Sequence, residues 1–78
     1  MGEHEKPTDR AESLAEALPR EQARVRAIQA EYRALPGNAG AIGAAMMEAD
    51  LKAAEKASAA GDVVAMLRAY EALSGYEL

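Results

Sequence analysis

The chain has 78 residues, no cysteine and a formal net charge of -4. A chain of this length forms one small domain, and without cysteine it holds neither disulfides nor thiolate metal sites, which fits a reducing compartment. The acidic balance argues against general affinity for nucleic acid or for an anionic membrane.

Half of the residues are hydrophobic, but 20 of the 78 are alanine, and the chain has neither Phe nor Trp. Alanine favours helix but offers little apolar area to bury. A monomer with so thin a core would be marginal, so we expect self-association as a homodimer. No apolar run reaches membrane-spanning length and no charged-then-apolar leader opens the chain. The expected location is therefore the cytoplasm.

The N-terminal residues 1–8 are polar and predict a disordered tail. His4, the only histidine, lies there, and a metal site needs three or four converging ligands, so we expect neither a metal nor another cofactor. Asp9, with Glu12 three residues later, is typical of a helix start. This predicts a short helix over about 10–18, before Pro19. The apolar spacing continues past Pro19, so one kinked helix is the alternative interpretation.

A second helix is predicted over about 20–34, because Val25, Ile28, Tyr32 and Leu35 form one apolar stripe. Four arginines flank it: Arg20 and Arg24 on one side, Arg26 and Arg33 on the other. A helix that reads a DNA groove groups its basic residues on one face. The flanking arrangement instead favours arginine stems packed over the apolar stripe.

The central helix, predicted over 39–60, follows the break Leu35-Pro36-Gly37, with Asn38 as its expected cap. At 100° per residue its apolar residues form two adjoining stripes. A helix with one neighbour needs only one stripe, so two neighbours are predicted, and glycines at 40 and 43 predict a close backbone approach. One stripe contains Ile42, Met46, Ala49, Ala53, Ala57 and Ala60, and the other contains Gly43, Met47, Leu51, Ala54 and Ser58.

Asp50 falls between the two stripes. An unpaired buried carboxylate is costly, so we expect an ion pair with an arginine of the preceding helix or a position at the rim, with a contact role as the alternative. The candidate interaction surface predicted from these patterns consists of Met47, Asp50, Leu51, Ala54, Arg26 and Arg33.

A last helix is predicted over about 63–73, after Gly61 and an Asp62 cap, with residues 76–78 as a short tail. Its apolar face comprises Val63, Met66, Leu67, Tyr70 and Leu73. The fold class is therefore all-α: a three-helix bundle of about 20–34, 39–60 and 63–73, within a single domain over 9–75.

Two resemblances follow from these segments. The pattern Ala-x-x-Ala-x-x-Ala-Gly-Asp and the following helix, residues 53–73, resemble the turn and second helix of a tetratricopeptide repeat, with Tyr70 at a common aromatic position and Met66 where that family prefers a small residue. This resemblance implies an αα-hairpin. Residues 12–77 also resemble small uncharacterised helical proteins of phages and prophages, which implies an accessory protein acting on a host or phage partner.

The predicted function is that of a small non-enzymatic helical module that binds another protein, since no candidate nucleophile–base pair occurs in the sequence. One alternative is a nucleic-acid-linked transcriptional regulator that uses the arginines of residues 20–33. Another is an acidic inhibitor that occupies the nucleic-acid site of a host enzyme through Glu48 and Glu55, or through Glu12 and Glu16.

Overall fold

The computed structural model describes residues 13–78, which form three α-helices, each packed against the other two. Helix α1 spans Leu14–Ala34, α2 spans Asn38–Ala60 and α3 spans Val63–Ser74. The predicted all-α three-helix bundle is confirmed. The predicted tail over 1–8, the Asp9 cap and the first residues of the predicted N-terminal helix lie outside the described residues.

Helix α1 continues through Pro19, so the structure has the single-helix alternative and not a separate short helix before this proline. Pro19 removes the hydrogen bond that its N–H would donate to the carbonyl of Ala15. Ala15 and Pro19 are both exposed, so water can reach that carbonyl. The helix begins at Ser13, whose side chain accepts a hydrogen bond from the backbone N–H of Glu16.

The turn between α1 and α2 depends on glycine. Gly37 has a φ of 87° and is the N-cap of α2, so the prediction that Asn38 caps this helix is wrong. A Cβ at Gly40 would collide with the carbonyl oxygen of Tyr32, and one at Gly43 would lie 2.5 Å from the Tyr32 ring. The predicted close approach is therefore confirmed, with Tyr32 as the neighbour.

The turn between α2 and α3 is as predicted. Gly61 has a φ of 66° and ends α2 in the left-handed conformation, which a glycine adopts without strain. Asp62 then caps α3, because its side chain accepts a hydrogen bond of 3.1 Å from the N–H of Ala65. This short connection makes α2 and α3 antiparallel neighbours.

The core lies where the three helices meet, and alanine accounts for five of its twelve buried hydrophobic residues. Only Leu18, Val25, Met47, Leu51 and Leu73 are large and fully buried. Leu35, predicted to extend the apolar stripe of α1, is 55 % exposed because the chain leaves the helix there.

Candidate interaction surface

Three of the predicted surface residues belong to the core. Met47 is 1 % exposed, and Leu51 and Ala54 are fully buried between α1 and α3. The prediction that they bind a partner is wrong, because a partner could reach them only if the bundle opened. The stripe of α2 that contains these three residues packs against both α1 and α3. Its small residues, glycine and alanine, let two helices approach the same side of α2 closely.

Asp50 lies at the edge of this core and is half-buried. The Tyr76 hydroxyl donates a hydrogen bond of 2.6 Å to its carboxylate. Of the two expectations, the ion pair with an arginine of the preceding helix is wrong, whereas the position at the rim agrees with the structure, and a residue of the predicted C-terminal tail supplies the donor. Burial, followed by the bond to Asp50, raises the pKa of the Tyr76 hydroxyl to about 12.

Arg26 and Arg33 are exposed and lie beside acids of α2. Arg26 Nη2 is 2.7 Å from Glu55 Oε2, and Arg33 Nη2 is 3.6 Å from Glu48 Oε1. Glu48 and Glu55 project more than about 100° away from Ile42 around α2, so this charged edge does not adjoin the Ile42 side of the helix. The six predicted residues therefore do not form one surface.

Glu48 also accepts a hydrogen bond of 2.8 Å from the buried amide of Gln29, whose Nε2 also donates to the carbonyl of Ala44. The pKa of the Glu48 carboxyl is lowered, chiefly by the bond from Gln29. Burial opposes this shift of the pKa, and nearby Lys52 and Arg26 add to the lowering. Lys52 Nζ lies 3.5 Å from Glu48 Oε2, the helical pair expected from their spacing. The charged side chains on this edge of α2 are therefore engaged by contacts within the chain.

Arg24 holds the C-terminal segment against α1. Its guanidinium donates hydrogen bonds to the carbonyl of Tyr76 at 2.8 Å and to that of Leu73 at 3.1 Å, and it pairs with Glu21 at 3.0 Å. A cation at the C-terminal end of α3 also compensates the helix dipole. Residues 76–78, predicted as a short tail, follow α3 without secondary structure, and no sequence pattern indicated that Tyr76 is anchored by Arg24 and Asp50.

In the other apolar stripe of α2, Ala57 is buried in the core, whereas the remaining five residues are exposed. We call Ile42, Met46, Ala49 and Ala53 the outer stripe; they fall within about 60° of arc and all are exposed. Ile42 is 61 % exposed and Met46 is 57 % exposed. Exposed apolar side chains in a row on an ordered helix are typical of an interaction surface.

A concave depression, here called the hollow, adjoins the outer stripe at the C-terminal half of α2. The volume of the hollow is about 260 Å³, which is smaller than the ~300 Å³ at the lower end of the range for small-molecule binding sites. Its size suits one protruding side chain. The hollow is lined by Ala53, Lys56, Ala57, Ala60, Asp62 and Ala65.

The sequence pattern contained the outer stripe, but the candidate surface predicted from it included three residues that belong to the core, namely Met47, Leu51 and Ala54. It missed Gln29 and Tyr76 as structural anchors, because neither stands in a motif. A usable signal was the placement of Gly40 and Gly43: they lie on the Met47 side of α2 and mark the face that another helix approaches.

Comparison of the chain with protein-family models, with curated protein sequences and with solved structures finds no match. Residues 13–78 contain no helix that is long and apolar enough to span a membrane. Within the same residues, no group of three or more His, Cys, Asp or Glu side chains is arranged to hold a metal ion.

Proposed function

We propose that this chain is a small cytoplasmic, non-enzymatic protein–protein interaction module, and that it binds through the outer stripe and the hollow of α2. The observation that carries the proposal is the contrast between two neighbouring methionines. Met47 is fully packed in the core, whereas Met46 is 57 % exposed on the same ordered helix. A bundle so poor in large core residues gains nothing within the chain from leaving this side chain in water.

The chemistry of the surface defines the kind of partner that it fits. The outer stripe is apolar along about 17 Å, the rise from Ile42 to Ala53 at 1.5 Å per residue. Alanines follow the two larger side chains along the stripe, so a partner helix can approach its second half closely. An apolar helical segment with one protruding side chain for the hollow would satisfy both features.

The nucleic-acid alternative receives less support. Arg24 is engaged by Glu21 and two carbonyl groups, and Arg26 and Arg33 face acids of α2. Phosphate contacts would have to displace these partners. The acidic-inhibitor alternative meets the same objection for Glu48 and Glu55, because these acids face cations of this chain. The accessory role implied by the resemblance to phage proteins stays a prediction, in which the partner is a host or phage protein.

The test is affinity capture from cells of the organism that encodes the chain, with quantitative mass spectrometry. Wild type is compared with Ile42→Glu/Met46→Glu, which places two charges on the outer stripe. Leu67→Glu is the matched control, because Leu67 is 48 % exposed on α3, away from the stripe. We expect at least one captured protein, untagged copies of the chain included, to be lost with the stripe variant and retained with the control.

The contrary result is equally specific. If wild type, stripe variant and control capture the same proteins in the same amounts, the outer stripe does not bind a partner. Circular dichroism of each variant, recorded beforehand, checks that the charges have not unfolded the bundle.

A further inference from the structure

We infer that the occupant of the outer stripe is a second copy of this chain, joined through an antiparallel pair of α2 helices. This inference rests on the proposed function and names its partner. It starts from a knob and a hole that lie on the same helix. Met46 protrudes from the N-terminal half of α2, and the hollow lies in the C-terminal half.

The hollow has the geometry that accepts a side chain from a facing helix. Four of its residues, at 53, 56, 57 and 60, stand at i, i+3, i+4 and i+7. This is the four-residue diamond into which a knob inserts when two helices pack side by side. Ala53, Ala57 and Ala60 leave its floor open, and the Lys56 stem forms one wall.

A two-fold axis that passes midway between Ala49 and Ala53 and makes the two α2 helices antiparallel lets the Met46 of each copy enter the hollow of the other. It places Ala49 of each copy opposite Ala53 of the other, and Ile42 opposite Ala60. Met46 then stands level with position 56 of the other copy, at the centre of the hollow. The contact is made twice, as a two-fold interface requires.

The distribution of side-chain size selects this direction over the parallel one. The large residues Ile42 and Met46 lie in the first half of the stripe, and only alanines lie in the second. Parallel α2 helices would set Met46 against Met46 and leave two hollows facing each other unfilled, which forfeits packing. Antiparallel helices pair large with small along the whole stripe.

The antiparallel arrangement also places the flanks of α2 that carry the hollow on the same side of the interface in both copies. Rotation about an axis in the interface plane brings the same flank of both copies to the same side. The flank that carries Met46 at its edge is the one that carries α3, and Ala65 of α3 lines the hollow. Met46 therefore meets alanines from both α2 and α3 of the second copy.

The contact length sets the expected strength. From Ile42 to Ala60 the rise along α2 is about 27 Å, so one pair of helices buries less than the ~800 Å² per partner of a standard stable interface. We therefore expect a reversible dimer with a dissociation constant in the micromolar range, about 1–100 μM.

The first experiment is sedimentation equilibrium of the full chain over a wide concentration range, with size-exclusion light scattering. The hollow is blocked by Ala53→Leu, and the matched control is Ala59→Leu, because both alanines are exposed on α2 but only Ala53 faces the partner. We expect Ala53→Leu to raise the dissociation constant at least about tenfold, and Met46→Glu to raise it about 100-fold or more. Ala59→Leu should leave it unchanged.

The second experiment tests the direction of the helices. The chain has no cysteine, so Ala49→Cys and Ala53→Cys variants carry one thiol each. Equal amounts, distinguished by mass and equilibrated in a glutathione buffer, should give chiefly the mixed disulfide. A preponderance of the two symmetric disulfides would indicate parallel helices and overturn the antiparallel arrangement.

The inference is overturned by a wild-type chain that stays monomeric to about 1 mM, ten times the weakest affinity expected here, or by equal effects of Ala53→Leu and Ala59→Leu. These failures are separable from failure of the proposed function. A monomeric chain that still captures another protein through Ile42 and Met46 removes only the second copy. A monomeric chain whose captured proteins ignore the stripe removes both.

Discussion

The sharpest prediction about the fold concerns the neighbouring methionines of α2. Met47→Ala should destabilise the monomer by about 2–5 kcal/mol, because it removes a fully buried side chain and leaves a cavity between three helices. Met46→Ala should change the monomer's free energy of unfolding by less than about 0.5 kcal/mol, because its side chain is 57 % exposed.

The size of the first effect is large relative to the whole. A domain of 78 residues has a free energy of unfolding of about 4–12 kcal/mol, at ~0.05–0.15 kcal/mol per residue. Loss of about 2–5 kcal/mol would lower the midpoint of thermal unfolding by roughly 8–40 °C for a domain of this size. The difference in thermal midpoint between the two variants should therefore be visible directly in their unfolding curves.

The assay is urea and thermal unfolding followed by circular dichroism, at submicromolar concentrations, below the whole range of dissociation constants expected for the dimer inferred above, so that the monomer predominates. The two substitutions remove the same atoms from adjacent residues, so each is the other's control. Equal destabilisation, or a larger loss from Met46→Ala, would refute the orientation assigned to α2. The outer stripe would then be part of the core, and the proposed binding surface would vanish with it.

Three further predictions concern the contacts around this helix. Tyr76→Phe should cost about 1 kcal/mol, since it leaves the half-buried Asp50 carboxylate without its donor, and urea unfolding measures this. The raised pKa of Tyr76, about 12 against an ordinary 10.0, keeps its proton on the folded chain when the unfolded chain has lost it. The stabilisation that Tyr76 contributes is therefore fully present below pH 10 and is lost as pH rises toward 12. Tyr76→Phe should make the decrease in the free energy of unfolding between pH 10 and 12 less steep, and an unchanged decrease would contradict the raised pKa of Tyr76. Gly40→Ala should destabilise by about 1–3 kcal/mol despite alanine's better helix propensity, because the Cβ meets the Tyr32 carbonyl; a stabilised variant would show that this turn relaxes freely. Arg24→Met should speed amide exchange of residue 76, because two carbonyls beside it lose their donor; equal exchange in both proteins would remove the anchoring role.

The helix boundaries could be predicted because they depend on local chemistry. Gly61 ends α2 in a conformation that glycine adopts readily, and Asp62 caps the next helix through its own side chain. Pro36 and Gly37 likewise interrupt the chain between α1 and α2. Each of these residues acts within a few positions of itself, so one sequence suffices to recognise it.

Pro19 shows the limit of that local information. A proline there favours a helix start, and the sequence supports both a restart and a kink. The apolar contacts of the first turns decide the outcome, because Leu18 is fully buried and Leu14 packs against the same core. Tertiary packing retains a helix across a residue that costs it one hydrogen bond.

The choice between the two stripes of α2 could not be made from apolar periodicity. Each stripe has one methionine and one larger aliphatic residue; the remaining residues are four alanines in one stripe and an alanine, a glycine and a serine in the other, so hydrophobicity does not favour the buried stripe. The structure distinguishes them by shape: Gly40 and Gly43 leave room for Tyr32 on the side of Met47. Small residues, rather than large ones, specify where the neighbouring helix comes closest.

Long-range polar contacts were equally out of reach. Tyr76 and Asp50 are 26 positions apart, and Arg24 reaches carbonyls 49 and 52 positions away. No periodicity links such residues, because their meeting depends on the packing of all three helices. The predicted ion pair of Asp50 had the correct physical motive, since a half-buried carboxylate needs a donor, but a hydroxyl supplies it.

The same alanine content accounts for the thin core and for the binding surface. Inside the bundle, buried alanines such as Ala54 and Ala57 let α1 and α3 pack closely on one side of α2, and Ile42 and Met46 remain exposed beside that contact. Outside, alanines line the hollow in the C-terminal half of the helix whose N-terminal half exposes Met46. Any ligand that binds only the folded chain adds to its stability by mass action. A second copy in the hollow would therefore supply apolar burial that the monomer's own core lacks, and the surface and the weak core become two consequences of one composition.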